Sequence, residues 1–256
     1  MKKKLEGNSY LYITKNNEYM SNKKTIIITG ANRGLGLALT EKLAAEGNTI
    51  IMVCRDSENA RKVFKSLQSA GLSVVIKYAD IAIPQQIDTI FESIYNEFKS
   101  VDVLINNAAI NIDGEKTSLE TLSLETIEKT FNTNIIGSMW MSKKALPLLK
   151  NAAEGRIINF SSGLGHLTVP RMGPFPAYSI SKTAVNSLTH YLAEELKDTN
   201  ISVVSVDPGW VRTDLGGPNA PLAIEEGIDT PYWLATVEKD KLENGKFYKE
   251  KSVITW

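Results

Sequence analysis

The 256-residue sequence predicts one α/β domain: a doubly wound, mostly parallel seven-stranded sheet with helices on both faces. Three observations carry this. Short β-branched runs alternate with longer stretches of helical period from Thr25 onward. The runs are continuously apolar, as strands buried on both faces are. No short repeat, low-complexity tract or linker divides the chain. Buried strands separated by helices build right-handed βαβ units.

The expected elements follow in order. "TIIIT" (25–29) is the first strand, and "LGLALTEKLAAEG" after it is a helix ending on a glycine suited to the C′ position. "TIIMVC" (49–54) is a strand, and "SENARKVFKSLQSAG" is a second helix closed by glycine. "SVVIKY" (73–78) precedes "PQQIDTIFESIYNEF", whose opening proline fits a first helical turn. "VDVLIN" (101–106), "GRIINF" (155–160) and "ISVVSV" (201–206) are strands. They are separated by the long helices "LETIEKTFNTNIIGSMWMSKKALPLL" and "YSISKTAVNSLTHYLAEELK". "KSVITW" at the C-terminus is the last strand. The domain spans residues 23–256, and residues 1–22 are expected to be a flexible N-terminal extension.

Composition removes several classes of function. Lys+Arg and Asp+Glu number 29 each, so no overall basic field attracts nucleic acid or an anionic membrane. Nowhere do 18 apolar residues run together, and no apolar segment follows the N-terminal lysines as a signal peptide would require. The single cysteine, Cys54, cannot form an internal disulfide. A reducing, cytoplasmic setting is the expectation. His166 and His190 have no ligand spacing, so no metal is expected.

The chemistry gathers in two places. After the first strand, Gly30, Gly34 and Gly36 sit at the strand–helix turn, where a doubly wound sheet of Rossmann type binds ligands. Glycines leave no Cβ between backbone and ligand, and a helix N-terminus favours a phosphate. The spacing is G-x-x-x-G-x-G rather than G-x-G-x-x-G, and an ordinary tight turn is the competing reading. The second place is "YSISK". Tyr178 and Lys182 lie one helical turn apart and share a face. An ammonium beside the phenol would lower its pKa from about 10, making Tyr178 a general acid or base. Upstream, "INFSS" ends a strand in two hydroxyls able to hydrogen-bond a substrate oxygen.

The ordered motifs "TGANRGLG", "NNAA", the asparagine of "NTNIIG", "INFSS", "YSISK" and "DPGWVRTD" resemble the short-chain dehydrogenase/reductase family. Within it, the chain is similar to small carbonyl-reductase-like and C-factor-like members. The resemblance runs from about residue 23 to the C-terminus. It implies an NAD(P)-dependent oxidoreductase that exchanges hydride with a ketone, aldehyde or alcohol. It places Gly30, Asn32, Arg33, Gly34, Leu35 and Gly36 at the cofactor phosphates, and Asp80 with Ile81 near the adenine. Asn106 matches the first asparagine of N-N-A-G and Asn107 adds to the cofactor site, with Ala109 in place of the glycine. By the same resemblance, Asn134 matches the asparagine that holds a water linking Lys182 to solvent, and Ser162, with Ser161 as the alternative, is implied to join Tyr178 and Lys182 in catalysis. Pro208, Gly209, Val211 and Thr213 match the segment that orients the nicotinamide. The usual family interface, the helices about 120–150 and 178–197, implies a homodimer or homotetramer.

Arg55 follows the second strand and Arg33 lies in the glycine loop. Two guanidiniums suit a ribose 2′-phosphate, so NADP(H) is the expected cofactor. Asp56 beside Arg55 keeps NAD(H) open. Pocket walls are expected from 164–176 and 214–226, both apolar with prolines and glycines. Two other uses of such a fold compete: a non-catalytic cofactor-binding regulator, and epimerase- or dehydratase-like chemistry. Cys54, Trp140 and Met141 read as packing residues, while His166 and Trp210 border the expected pocket.

Overall fold

The structure is a computed structural model and describes residues 2–4, 10–12, 23–114, 117–170 and 173–256. Strands β1 (Lys2–Lys4) and β2 (Tyr10–Tyr12) pair antiparallel in a ribbon separate from the main sheet. The rest of the N-terminal extension, and its expected flexibility, lie outside the described residues.

The main sheet contains β3 (Thr25–Thr29), β4 (Thr49–Cys54), β5 (Val74–Tyr78), β6 (Val103–Asn106), β7 (Gly155–Phe160), β8 (Ile201–Val206), β9 (Phe247–Lys249) and β10 (Ser252–Ile254). Their spatial order is β5-β4-β3-β6-β7-β8-β9-β10. All neighbours are parallel except the β9–β10 hairpin. The chain winds outward from β3 to β5, then crosses back to β6 at the other side of β3. The loops after β3 and β6 therefore diverge, and their common root is the place where such a sheet opens a crevice.

The sheet has eight strands, one more than expected. "FYK" pairs with β8 through Ser205 and Val206, and the expected last strand folds back along it as β10. Three residues are too few to display a period. Burial of β9 rests on long-range aromatic packing: Phe247 stacks on Trp256, and Tyr248 meets Trp233.

Continuous apolar strands are buried on both faces, as expected. Ile27, Ile51, Leu104, Ile157 and Val203 join one core cluster with residues of α3 (Pro84–Glu97), α5 (Ser138–Lys150) and α6 (Pro176–Glu195). Their neighbours Ile26, Ile28, Ile50, Val103, Ile158 and Val204 join a second cluster. Its helices are α1 (Gly34–Ala45), α2 (Glu58–Ser69), the short α7 (Ile224–Gly227) and α8 (Asp229–Thr236). Met141 is fully buried in the first cluster. Trp140 packs partly buried against it, its indole N–H donating to Asp88 at 2.9 Å.

The long helix before β7 is not uniform. α4 (Leu124–Phe131) passes through a π-helical turn, Asn132–Gly137, into α5. Such turns carry an extra residue and frequently mark functional positions. Here it presses Gly137 onto the loop after β5, where a Cβ would lie 2.7 Å from the Ile81 carbonyl oxygen. No described helix is long and apolar enough to cross a membrane.

A Cβ on Gly36 would sit 2.3 Å from the Gly30 carbonyl oxygen and 2.6 Å from Asn107 Nδ2. The nearer obstacle is backbone and cannot rotate away. Gly36→Ala should therefore destabilise the domain by about 3 kcal/mol, the upper range of overpacking costs. The check is a lower denaturant midpoint with an unchanged m-value.

Candidate active site

The crevice is built from one threonine. Thr29 ends β3, and its hydroxyl oxygen accepts from the backbone N–H of Asn107 and of Ala108, both at 3.0 Å. Asn107 answers with its own amide, which donates to the Thr29 and Gly30 carbonyls at 2.8 and 3.4 Å. The roots of the β3 and β6 loops are thereby fixed to each other. Gly30 (φ 67°) and Gly34 (φ 52°) then take left-handed conformations that other residues resist. α1 begins directly after Arg33, with no side-chain cap and no acidic residue in its first turn. Its free N–H groups are left for an anion. A cavity of about 460 Å³ lies over Gly34, lined also by Arg212, Thr213 and Pro218. Glycine backbone, open helix start and cavity together fit a dinucleotide pyrophosphate.

The remaining residues expected near the cofactor line the same edge. Arg33 reaches across to Asp214, 2.8 Å away, both exposed. The Asn32 carbonyl accepts from Asn59 at 3.1 Å, tying the loop to α2. Leu35 packs on the second core cluster. Beyond β4, Asp56 is ion-paired with Arg61 at 2.5 Å. Its exposed neighbour Arg55 makes no ion pair among the described residues. Beyond β5, Asp80 accepts from the Ala82 N–H at 3.0 Å, and Ile81 is buried against Gly137. The two asparagines after β6 divide. Asn106 is buried and donates to Asn159 at 2.8 Å and Ser142 at 3.0 Å, a scaffold contact, whereas Asn107 faces the glycine loop.

On the other side of the crevice, β7 delivers the two serines. Ser161 is buried and donates to the Lys182 carbonyl at 3.1 Å. Ser162 accepts from the Leu164 N–H at 3.1 Å and stands near enough to the Tyr178 phenol to pull its proton affinity down. α6 carries Tyr178 and Lys182 on its buried face, 6% and 3% exposed. Lys182 Nζ donates to the Phe160 carbonyl at 2.7 Å and lies 5.5 Å from the Tyr178 ring centroid. Serine, tyrosine and lysine thus meet in one buried place.

The electrostatics differ from the sequence expectation. Burial pushes the Tyr178 phenol well above its ordinary value; Ser162 pulls it back and the charge of Asp207 pushes it further up. Burial also lowers the Lys182 ammonium to about 7. The expected lowering of the tyrosine by its lysine is thus overridden in the protein alone. A group sealed from water is governed first by the loss of hydration, and the lysine amine is itself held by a carbonyl.

Asn134 lies in the π-helical turn and is fully buried. Its amide oxygen accepts from the Ile110 N–H, and its amide nitrogen donates to the Ile110 carbonyl and to Ser181, all at 2.9 Å. It reaches α6 through Ser181, with no hydrogen bond to Lys182. After β8, Gly209 (φ 79°) turns the chain. Val211 bridges to Leu222, and the Thr213 hydroxyl accepts from the Gly216 N–H at 3.2 Å. A Cβ on Gly34 would touch Thr213 at 3.4 Å, so Thr213 meets the glycine loop. Pro208 lines a neighbouring cavity.

His166 is half-buried against Phe247, and His190 is exposed. Trp210 is largely exposed, its indole donating to the Gly216 carbonyl at 2.7 Å. Cys54 is buried and its thiol is pushed up to about 11. No cluster of potential metal ligands occurs among the described residues. Sequence reasoning passed over Thr29, Asp207 and Asp113. Asp113 accepts from the Tyr178 N–H at 3.0 Å, capping the first turn of α6. A carboxylate 65 positions upstream carries no local signal of that role.

Comparison with known proteins gives a consistent result. The family model described as short chain dehydrogenase matches residues 24–221. Carbonyl reductase (NADPH) 1 of Mus musculus is 30% identical, over 92% of this chain and 99% of the relative. The short-chain dehydrogenase anuI of Penicillium roqueforti is 31% identical, over 91% and 96%. The NADPH-bound carbonyl reductase from chicken fatty liver superposes with a TM-score of 0.82 at 27% identity, covering 91% of this chain and 99% of that one. The carbonyl reductase Sniffer of D. melanogaster also gives 0.82, at 28% identity, covering 92% and 100%.

The depressed Lys182 pKa has a consequence for stability. Between about 7 and the ordinary 10.5, the unfolded chain binds a proton at this lysine that the folded one does not. Its contribution to stability therefore rises with pH across that window and is constant below it. Lys182→Met removes the dependence. The stability of the variant minus that of wild type should fall steadily from pH 7 to pH 9.5 in denaturant titrations.

Proposed function

The chain belongs to the short-chain dehydrogenase family, and from that membership we propose an NADP(H)-dependent reductase of ketones or aldehydes with Tyr178 as its proton donor. The observation that carries the reading is the meeting of Ser162, Tyr178 and Lys182 in one buried place beside the glycine crevice. When bound, the nicotinamide supplies the hydride. Gly30, Asn32, Arg33, Gly34, Leu35 and Gly36 would hold the phosphates, Asp80, Ile81 and Asn107 the adenine side, and Pro208, Gly209, Val211 and Thr213 the nicotinamide.

This chain's own work is with the proton. The Tyr178 hydroxyl gives its proton to the substrate oxygen as that oxygen gains charge. Ser162 donates a hydrogen bond to the same oxygen, a preorganised stabilisation of developing charge. Burial suits the reductive direction because it keeps the phenol protonated until it is needed. Lys182, lowered to about 7, can pass a proton at neutral pH, and its amine is near enough to the phenol to steer it. Asn134 holds the Lys182-bearing helix through Ser181. Preference for NADP(H) is supported by Asp56, whose carboxylate is engaged by Arg61, leaving Arg55 beside it for a 2′-phosphate. The NADPH in the names of the mouse and chicken relatives supports the same choice. The π-helical turn, α5 and α6 expose Ile136, Met139 and Ile180, which supports a homodimer or homotetramer through this face. Light scattering at micromolar concentration decides it.

Three outcomes test the proposal. A panel of ketones, aldehydes, enones and sugars should contain a carbonyl that accelerates NADPH oxidation; a regulator or an epimerase would give no net redox turnover. Tyr178→Phe should keep the fold and NADPH binding while lowering kcat on that substrate by about 10²- to 10⁴-fold, the range of general-acid catalysis. Arg55→Ala should weaken NADPH about ten- to a hundredfold, at 1.5–3 kcal/mol for a charge-assisted bond, and leave NADH unchanged. The checks are kcat on the best carbonyl and kcat/KM for both cofactors.

A further inference from the structure

Asp207 is a buried carboxylate that this chemistry leaves without a task. It follows β8, and its side chain is 3% exposed. Oδ1 accepts from the Gly209 N–H at 3.0 Å, inside the Pro208–Gly209 turn. Oδ2 lies 3.1 Å from Lys249 Nζ on β9. A Cβ on Gly163, the residue after Ser162, would lie 3.2 Å from Oδ2. The carboxylate is therefore wedged between the Ser162–Gly163 corner and the turn expected to carry the nicotinamide. A buried charge in such a place persists only with a partner.

The partner is delivered by strain. Glu250 (φ 49°) and Lys251 (φ 60°), which join β9 to β10, are the only non-glycine residues of positive φ among those described. A tight hairpin turn demands this, and residues other than glycine or asparagine adopt it reluctantly. The turn is pinned from α8: Lys251 donates its N–H to Thr230 at 3.2 Å and its Nζ meets Asp229 at 2.7 Å. The result is Lys249 aimed at Asp207.

We propose that Asp207 and Lys249 form a positioning pair for the reaction, in which Asp207 fixes the Pro208–Gly209 turn with one oxygen and favours the protonated Tyr178 phenol with its charge, and Lys249 sets how much of that charge the phenol feels. The inference rests on Tyr178 being the proton donor. The place of the carboxylate against the Ser162–Gly163 corner, with Lys249 on its other side, carries it, and the upward push of Asp207 on the phenol agrees in direction. The charged groups around Asp207 are few in kind. Glu225, Glu226, Asp229 and Glu250 line the cavity of about 460 Å³ beside it. Glu226 is turned to the Ala223 N–H at 2.7 Å and Asp229 to Lys251, leaving Lys249 as the cation on Asp207. Around Tyr178 stand Ser162, Lys182 and Asp207, with Asp113 on its backbone N–H.

The test is the pH profile of kcat/KM for alcohol oxidation with NADP⁺, using the alcohol of the best carbonyl in the panel. With the cationic nicotinamide of NADP⁺ bound, its ascending limb reports loss of the proton from the Tyr178–Lys182 pair, on either member of which the charge of Asp207 acts in the same direction. Asp207→Asn keeps an acceptor for Gly209 and removes the charge, so the limb should move down by about half a unit to one unit, as expected for a nearby partly screened charge. Lys249→Met should move it up by a similar amount, and Lys249→Arg should restore the wild-type limb. Shifts of opposite sign are what a purely structural pair would not give. A limb unmoved in both variants, or moved in the same direction, overturns the proposal. If Asp207→Asn fails to fold, the two Lys249 variants decide: an upward limb in Lys249→Met that Lys249→Arg reverses supports the pair, and an unmoved limb overturns it. Turnover retained in Tyr178→Phe would instead overturn the reading beneath. An inactive Tyr178→Phe with an unmoved Lys249→Met limb overturns this inference alone.

Discussion

The site depends on a single hydroxyl at the point where the sheet changes direction. β3 and β6 run side by side, and their loops must part to leave a crevice, yet parting exposes backbone N–H groups that have no strand to pair with. Thr29 accepts two of them, from Asn107 and Ala108. Asn107 closes the exchange on the Thr29 and Gly30 carbonyls. Buried backbone groups must find partners, and here they find them without a further strand. Because the asparagine amide occupies the space against Gly36, the first turn of α1 can come close only if that residue has no side chain. The glycine spacing of the loop is thus a consequence of the lock below it.

The Tyr178 side of the site is held by a comparable exchange between β7 and α6. Lys182 Nζ bonds the Phe160 carbonyl, and Ser161 bonds the Lys182 carbonyl. Gly165 lies so near the same turn of α6 that a Cβ would fall 2.8 Å from the Lys182 backbone. Asn134 adds a third support, linking the π-helical turn and the Ile110 loop to Ser181. Tyr178 accordingly stands on a helix fixed to a strand at several points, an arrangement that holds its side chain within narrow limits, as the proposed role requires. Ser161 and Ser162 divide labour for a backbone reason: adjacent residues after a strand face opposite ways, so one ties down the helix and the other meets the phenol.

Much of this is legible in the chain itself. Alternation of apolar runs with helical stretches specifies the doubly wound sheet, because strands such as β7 are buried at every position. The glycine loop and the Tyr178–Lys182 spacing are local patterns, and local patterns survive in sequence. What escaped is long-range. β9 is three residues long, and its place beside β8 is decided by Trp256 and Trp233 packing around it. The π-helical turn has no period to distinguish it from the helices it joins. The sign of the tyrosine shift also escaped. Helical spacing tells that two side chains share a face; it does not tell that the face is sealed from water, and sealing outweighs the neighbour. Asp207 was visible as a letter of a motif, but its partner Lys249 lies on a strand that sequence did not reveal.

The same sealing explains why the domain tolerates groups that weaken it. An aliphatic side chain at 182 would fill the space with no loss of hydration, whereas the amine is buried with its charge disfavoured. A glycine or asparagine would relax the turn at Glu250 and Lys251. Selection for stability alone would remove such features, since substitutions that relieve them are easy to find. Both departures lie on the route from the sheet edge to the phenol. The amine is within reach of the ring, and the strained turn directs Lys249 to the carboxylate beside Ser162. Both departures from local rules fall beside the residues proposed to handle the proton, where a fold used for chemistry is expected to carry them.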